Sequence, residues 1–193
     1  MLLDIILALI TTGTAGTAIK YAYEALQSRR KQKAYYSSVL EHIHEIYTIL
    51  NKLVRDTHAA RIVILKKEEE KIGLFGKRQT STVIYEAYEY PLDSIKKKWQ
   101  RQLIDDSYIR VLKQLEEKGE VELMTDQMED GQLKTLYLSG GVKKAIVSLL
   151  SVNPIFIYIS FNYSKIENED LLAIDTKRYC INELRTIFEQ FKV

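Results

Sequence analysis

The segment Ile155–Tyr163, IFIYISFNY, alternates without a break: Ile155, Ile157, Ile159 and Phe161 fall on one side of an extended chain, Phe156, Tyr158, Ser160 and Asn162 on the other. Successive side chains of a strand point to opposite faces, so this segment belongs in a sheet whose two faces differ. The aliphatic face needs helices packed on it; the aromatic and polar face suits the lining of a cavity. Just before it, Lys144–Val152 (KAIVSLLSV) reads as a second strand, joined to the first through Asn153-Pro154. Sheet plus covering helices gives an α+β fold.

The rest of the chain supplies the other elements. Tyr36, Val39, Leu40, Ile43, Ile46, Tyr47, Leu50, Leu53 and Val54 recur at steps of three and four, the stripe of an amphipathic helix. That stripe suits packing on its own domain better than a parallel dimer seam. Ala60–Leu65 and Thr80–Tyr90 have the composition of strands, the second stopped by Pro91. Between them, Glu68-Glu69-Glu70-Lys71 and Gly73–Gly76 read as a solvated charge run and an exposed loop. Asp93 is placed to cap a short helix carrying Ile95, Trp99 and Leu103, and Asp106 one carrying Tyr108, Val111, Leu112 and Leu115 that ends at Lys118-Gly119. Glu120–Thr125 is a further strand; Leu133–Leu138, across the Asp130-Gly131 turn, fits strand or helix. A closing helix opens at Asn168-Glu169-Asp170 with Leu171, Ile174, Ile181, Leu184, Phe188 and Phe191 as its stripe.

The N-terminus has a different character. Ile5–Ile19 carries no charge, and from Met1 only Asp4 interrupts the apolar run. Nineteen helical residues span about 28 Å, close to the hydrocarbon thickness of a bilayer. Tyr21 and Tyr23 stand where an interfacial pair would, and Arg29, Arg30, Lys31 and Lys33 follow, which by the positive-inside rule places everything after about residue 27 in the cytoplasm. A cleaved signal peptide lacks its basic leading region here, and a buried core helix would lack a partner segment of comparable character. Thr12, Gly13, Gly16 and Thr17 form a small-residue face suited to close packing of two such anchors, or simply a weakly hydrophobic helix. The expected organisation is a transmembrane signal-anchor over 1–26, a basic juxtamembrane segment and leading helix over 27–57, and a domain over 58–193 on which that helix packs from about residue 34.

Composition excludes several classes of function. A single cysteine among 193 residues rules out a disulfide framework and multi-cysteine metal sites, and 28 Lys+Arg against 26 Asp+Glu, a formal charge of +2, gives no global field for nucleic acid. With 46% hydrophobic residues the chain is not disordered. His42 and His44 diverge on a helix and His58 stands apart, so no metal set forms; Gly73–Gly76 lacks the lysine and helix start of a phosphate loop. Asp105-Asp106 has the chemistry to bind a cation, but adjacent acids beside a helix start suit capping better, and Cys180 is read as a packing residue. No nucleophile and base come together, so catalytic residues and metal ligands are both expected to be none.

The order of a long leading helix, two strands, a helical excursion, two long strands and a closing helix resembles that of GAF domains. The most specific part is Gly141-Val142 with KAIVSLLSV, IFIYISFNY, then Ser164–Asp170 before LLAID. A PAS-like sheet is the alternative. The resemblance implies an antiparallel sheet with the first and last helices together on one face, and a small-ligand pocket on the other under the middle helices. It also implies a role in binding cyclic nucleotides, tetrapyrroles or haem, or in dimerisation alone. Two departures count against particular ligands: phytochrome-like members attach a bilin through a cysteine in the helical excursion, whereas the cysteine here is Cys180 on the closing helix, and the asparagine-lysine-phenylalanine-aspartate-glutamate signature of cyclic-nucleotide binders is absent. The cofactor is therefore unknown.

Two sets of residues remain as candidates. Tyr88, Tyr137, Tyr158 and Asn162 are the polar and aromatic residues expected to line a ligand pocket. Arg29, Arg30, Lys31 and Lys33, together with Lys96, Lys97 and Lys98 beside Trp99 and Arg101, are expected to meet a membrane surface or phosphate, unless the second run is only a solvated face over an inward Trp99. The functional expectation is a membrane-anchored cytoplasmic sensor or protein-interaction module without catalytic activity, with a small-molecule ligand, a protein partner or a second copy as its partner. The alternative is an assembly scaffold on a membrane tether, its pocket vestigial, of the kind that suits bacterial or phage accessory factors.

Overall fold

The computed structural model describes residues 26, 42–72, 76–153, 155–166 and 171–190; the expected transmembrane segment apart from Leu26, the basic juxtamembrane cluster, the expected opening of the closing helix at Asn168-Glu169-Asp170 and its Phe191 lie outside them. Among the described residues no helix is long and apolar enough to cross a membrane.

The described residues form, in order, α1 (Ile43–Thr57), β1 (Arg61–Ile72), β2 (Gly76–Tyr88), β3 (Gln102–Leu103), α2 (Asp106–Lys118), β4 (Glu120–Met124), a 3₁₀ turn (Thr125–Gln127), α3 (Gln132–Ser139), β5 (Lys144–Ser151), β6 (Ile157–Tyr163) and α4 (Leu171–Glu189). The strands form one antiparallel sheet in the order β3-β2-β1-β6-β5-β4. The alternation of β6 separates two cores as expected. Ile157, Ile159 and Phe161 join Ile62, Ile64 and Ile146 against α1 and α4, through Leu50, Leu53, Leu184 and Phe188. Tyr158 lies on the other face with Val63, Leu65, Val83 and Val147, beneath α2, α3 and the segment carrying Ile95 and Trp99.

The structure corrects four expectations. First, β1 does not stop at Leu65: it runs to Ile72, so the acidic run is strand. Its far half is held by cross-strand charge, with Glu69 on Lys77 at 2.7 Å and Glu70 on Arg78 at 3.0 Å and Arg101 at 2.7 Å. Second, Ile95–Leu103 forms turns and the short β3 rather than a helix. The buried carboxylate of Glu86 accepts from Ser94 Oγ at 2.5 Å, Ile95 N at 2.9 Å and Lys96 N at 3.1 Å. Arg61 donates from Nη2 to Asp93 O at 2.5 Å, while its Nε lies 3.0 Å from Glu86 Oε1 without pointing its N–H at that oxygen. Glu86 thus holds a single turn, with Trp99 N on Ile95 O at 2.9 Å, and the chain then leaves it for β2: Trp99 O accepts from Val83 N at 3.3 Å, Arg101 N donates to Thr82 Oγ1 at 3.2 Å, and Gln102-Leu103 pair with Ser81 and Thr80. Third, the cap of α2 is Asp105, which accepts from Tyr108 N at 2.9 Å; Gly119 ends the helix at φ 77, in the left-handed region open to glycine. Fourth, the buried stripe of α4 is Ala173, Lys177, Cys180, Ile181, Leu184, Ile187 and Phe188; Leu171 is 81% exposed. Lys177 joins it by laying its stem along the helix with its amine 6.0 Å from the Phe161 ring centroid. The open choice at Leu133–Leu138 resolves as helix.

The topology gives the body two poles. At one, α1 ends, β1 begins, β2 and β6 end and α4 begins, as the pairings of Arg61 with both Tyr88 and Asn162 require. At the other, α1 begins, α4 ends and the β1–β2 hairpin turns.

Candidate functional site

The second face of the sheet is where a pocket was expected, and alternation along the strands delivers Ser81 from β2 and Tyr158, Ser160 and Asn162 from β6 to it. Above them, α2 contributes Tyr108 and α3 contributes Tyr137. Their hydroxyls bond to one another. Tyr158 Oη is 2.6 Å from Ser81 Oγ and 2.5 Å from Tyr108 Oη, and Tyr108 Oη donates to Ser81 Oγ at 3.3 Å, closing a triangle. A second chain runs from Tyr137 Oη to Ser160 Oγ at 3.2 Å and on to Asn162 Oδ1 at 2.8 Å. Trp99 lies against Tyr137 with ring centroids 6.1 Å apart. What remains between Leu65, Trp99, Tyr108, Leu133, Tyr137 and Tyr158 is a cavity of about 10 Å³.

The electrostatics match a closed interior. Burial pushes the pKa of Tyr108, Tyr137 and Tyr158 above the usual tyrosine value, so all three phenols are neutral at physiological pH. Asp105 anchors the helical layer above them. Burial raises its pKa, but the donors Gln132 N at 2.6 Å, Tyr108 N and Ser107 Oγ outweigh it and hold the carboxyl below its usual range. One carboxylate thereby caps α2 and fixes the start of α3. Gly131 sits close over it; a Cβ there would strike Ser107 Oγ. Among the described residues no group of three His, Cys, Asp or Glu is placed to hold a metal ion.

Three of the four expected pocket residues share this face. Tyr137 and Asn162 meet through Ser160, and Tyr158 is the centre of the triangle. Tyr88 does not join them: it is 40% exposed at the end of β2, its ring 5.8 Å from the Arg61 guanidinium. The sequence reading passed over Tyr108 and Ser81 as site residues; the signal was Tyr108's place on the inward stripe of α2. Of the basic run, Lys97 and Lys98 are exposed, Lys96 is half-buried and Trp99 points inward. Arg29, Arg30, Lys31 and Lys33 lie outside the described residues. Cys180 is fully buried, with its thiol pKa raised by burial. A shallow outer groove of about 280 Å³ runs between α2, β4 and α3 over Val111, Leu123 and Met128, crossed by an ion pair of Arg110 with Glu129.

No protein-family model matches the chain, and no curated protein matches it. Solved structures do. The GAF domain of a two-component sensor histidine kinase from Bacillus halodurans is 15% identical, over 77% of this chain and 94% of that one, with a TM-score of 0.53. A far-red cyanobacteriochrome photoreceptor is 12% identical, over 91% and 100%, with a TM-score of 0.55. The phycocyanobilin-bound GAF domain of a cyanobacterial phytochrome is 12% identical, over 83% and 94%, with a TM-score of 0.52. The fold is GAF-like. At these identities the likeness concerns the backbone, and what the interior does follows from this chain's own side chains.

Proposed function

We propose that this chain is a non-catalytic protein-interaction module of GAF-like fold, tethered to a membrane through its N-terminal apolar run with the body on the cytoplasmic side. The observation that carries the reading is the filled interior. A pocket for an organic ligand has a volume of about 300–1,000 Å³, and a cavity needs roughly 10–15 Å³ to admit one water. The cavity of about 10 Å³ under α2 and α3 admits at most a water, and nothing of the size of the bilin in the phytochrome structure. The hydroxyls that would recognise a ligand are bonded among themselves. Asn162 is the exception that favours a sensor, since its Nδ2 is buried without a partner.

A partner contact is better served by the outside. Tyr90, Leu92 and Ile166 on connections, Leu138 near the end of α3, and Leu171 and Leu172 at the start of α4 are all exposed, in stretches that adjoin the pole where β1 begins. Apolar side chains gathered at one end of a domain are a mark of association. Titrating the full chain with haem, biliverdin and cyclic GMP while following thermal unfolding tests the choice. The reading expects no shift in Tm; a ligand at a hundred times its Kd would add about 2.7 kcal/mol and raise Tm by roughly 5–10 °C, restoring the sensor.

A further inference from the structure

The two edges of the sheet differ. At one, β2 is covered by the chain that follows it: Val83 N donates to Trp99 O at 3.3 Å, Ile104 N to Gln79 O at 3.0 Å, and β3 closes on Thr80 and Ser81. Among the described residues β4, at the other edge, has no such cover. Its bonds to β5 run through alternate residues, and Thr125 N on Lys143 O at 2.9 Å with Leu149 N on Gly119 O at 2.8 Å fixes their phase. Gly119, Val121, Leu123 and Thr125 therefore direct their backbone groups at β5, and Glu120, Glu122 and Met124 direct theirs outward. Among the described residues no hydrogen bond meets the N–H and C=O of Glu120 and Glu122 or the N–H of Met124. An open row of this kind is a template for another strand.

The two faces beside this edge carry different chemistry. On one, Val121 and Leu123 enter the second core, and Leu123 floors the groove of about 280 Å³ with Val111 and Met128. On the same face, at the end of the strand, Thr125 Oγ1 is buried without a partner. On the other face, Glu120 and Glu122 stand beside Ser148 and Ile146 of β5. Ser148 Oγ donates to Glu120 at 2.6 Å, and Lys144 lies 3.3 Å from Glu122, whose side chain stays 54% exposed. Charge around the edge is one-sided, since from Glu116 to Asp130 seven carboxylates stand against the one cation Lys118. Arg110, Lys134 and Lys144 each pair with one of the seven, and the balance stays negative.

We propose that the edge of β4 takes up an extended basic segment of a partner protein as an added strand. This deepens the interaction-module reading given above and rests on it. Alternation sets the chemistry of the segment: residues beside Glu120 and Glu122 are lysine or arginine, and those between them are apolar and cover Leu123 at the groove. The exposed ion pair of Arg110 with Glu129 is weak enough to open for an incoming cation. A second copy of this edge is the wrong occupant, because the antiparallel register that engages all the open groups sets Glu122 opposite Glu122.

The full chain in detergent is titrated with a fluorescent peptide of alternating lysine and valine, a scrambled peptide of the same composition, and one of alternating glutamate and valine. The alternating basic peptide is expected to bind and to weaken with salt, and the acidic peptide to stay free. Backbone hydrogen exchange is the direct readout: the amides of Glu120, Glu122 and Met124 should exchange fast in the free chain and several-fold more slowly with the basic peptide. Glu122→Pro removes an outward N–H from an edge strand, where proline is tolerated, and should weaken the peptide about tenfold. Glu122→Lys keeps the backbone whole, should weaken it several-fold, and carries the test if the proline variant fails to fold. Failure of every peptide to bind, or equal binding of the ordered and scrambled basic peptides with unchanged exchange at these amides, overturns strand addition. Slow exchange at the same amides in a peptide-free dimer makes a second copy the occupant and overturns it likewise. The interaction-module reading itself falls on a separate result, a shift in Tm with haem, biliverdin or cyclic GMP.

Discussion

Asp105 and Tyr158 hold more of this interior than their neighbours do. Asp105 accepts from the backbone of two helices, so Asp105→Ala should lower unfolding stability by about 1–2 kcal/mol in urea denaturation, the usual cost of a lost N-cap. The native carboxyl titrates below its ordinary value near 3.8, so its stabilisation is complete above that value and disappears as pH falls through the native pKa. Acid unfolding of the Ala variant should accordingly show a shallower loss of stability over that range than the wild type. Tyr158→Phe leaves Ser81 and Tyr108 with only their long 3.3 Å bond and should cost about 1 kcal/mol by the same denaturation. The buried phenols respond in the opposite direction to alkali. Their native pKa values lie above the usual 10, so stability is intact below pH 10 and falls as pH rises beyond it. Ultraviolet titration of the thirteen tyrosines should show Tyr108, Tyr137 and Tyr158 ionising only together with unfolding; reversible ionisation in the folded protein would contradict their burial.

At the scale of elements, the sequence was legible wherever periodicity met a core. β6 declared both of its faces, and the α1 stripe from Ile46 to Val54 is buried as its spacing implies. Legibility failed where another interaction replaced hydrophobic burial. The far half of β1 is strand because its backbone ladders onto β2 as far as Ile72 with Gly76, its charges paired across the strands, and a run of glutamates carries no period-two apolar signal. Ile95–Leu103 had a capping aspartate and apolar spacing suited to a helix, but after one turn its backbone is taken by β2, through Val83 N, Thr82 Oγ1 and the pairing of Gln102-Leu103. The phase of α4 was displaced by Ala173 and Lys177, which bury a methyl group and an aliphatic stem and do not read as core. In the candidate site, β6 announced Tyr158 and Asn162, whereas the triangle with Tyr108 and Ser81 depends on three elements meeting. The α1–α4 layer gives a direct prediction. Phe188→Ala should lose about 3–5 kcal/mol in the same urea assay, and the Cys180 thiol, inert in the native protein, should then react with a thiol reagent at the rate of unfolding.

The whole molecule is a sheet with two closed layers, two poles of different character and a single buried thiol. One pole exposes apolar side chains; the other gathers the beginning of α1, the end of α4 and the β1–β2 hairpin. Its backbone is GAF-like, and tyrosines and a tryptophan fill the layer between the sheet and α2 and α3 to a cavity of about 10 Å³, the basis of the proposed interaction role. Native mass spectrometry of the full chain, purified from a cell lysate in detergent, tests that claim most directly. The account predicts the mass of the polypeptide alone, as monomer or oligomer, before and after denaturation. A reproducible additional mass of a small molecule, present in the native spectrum and lost on denaturation, would contradict it.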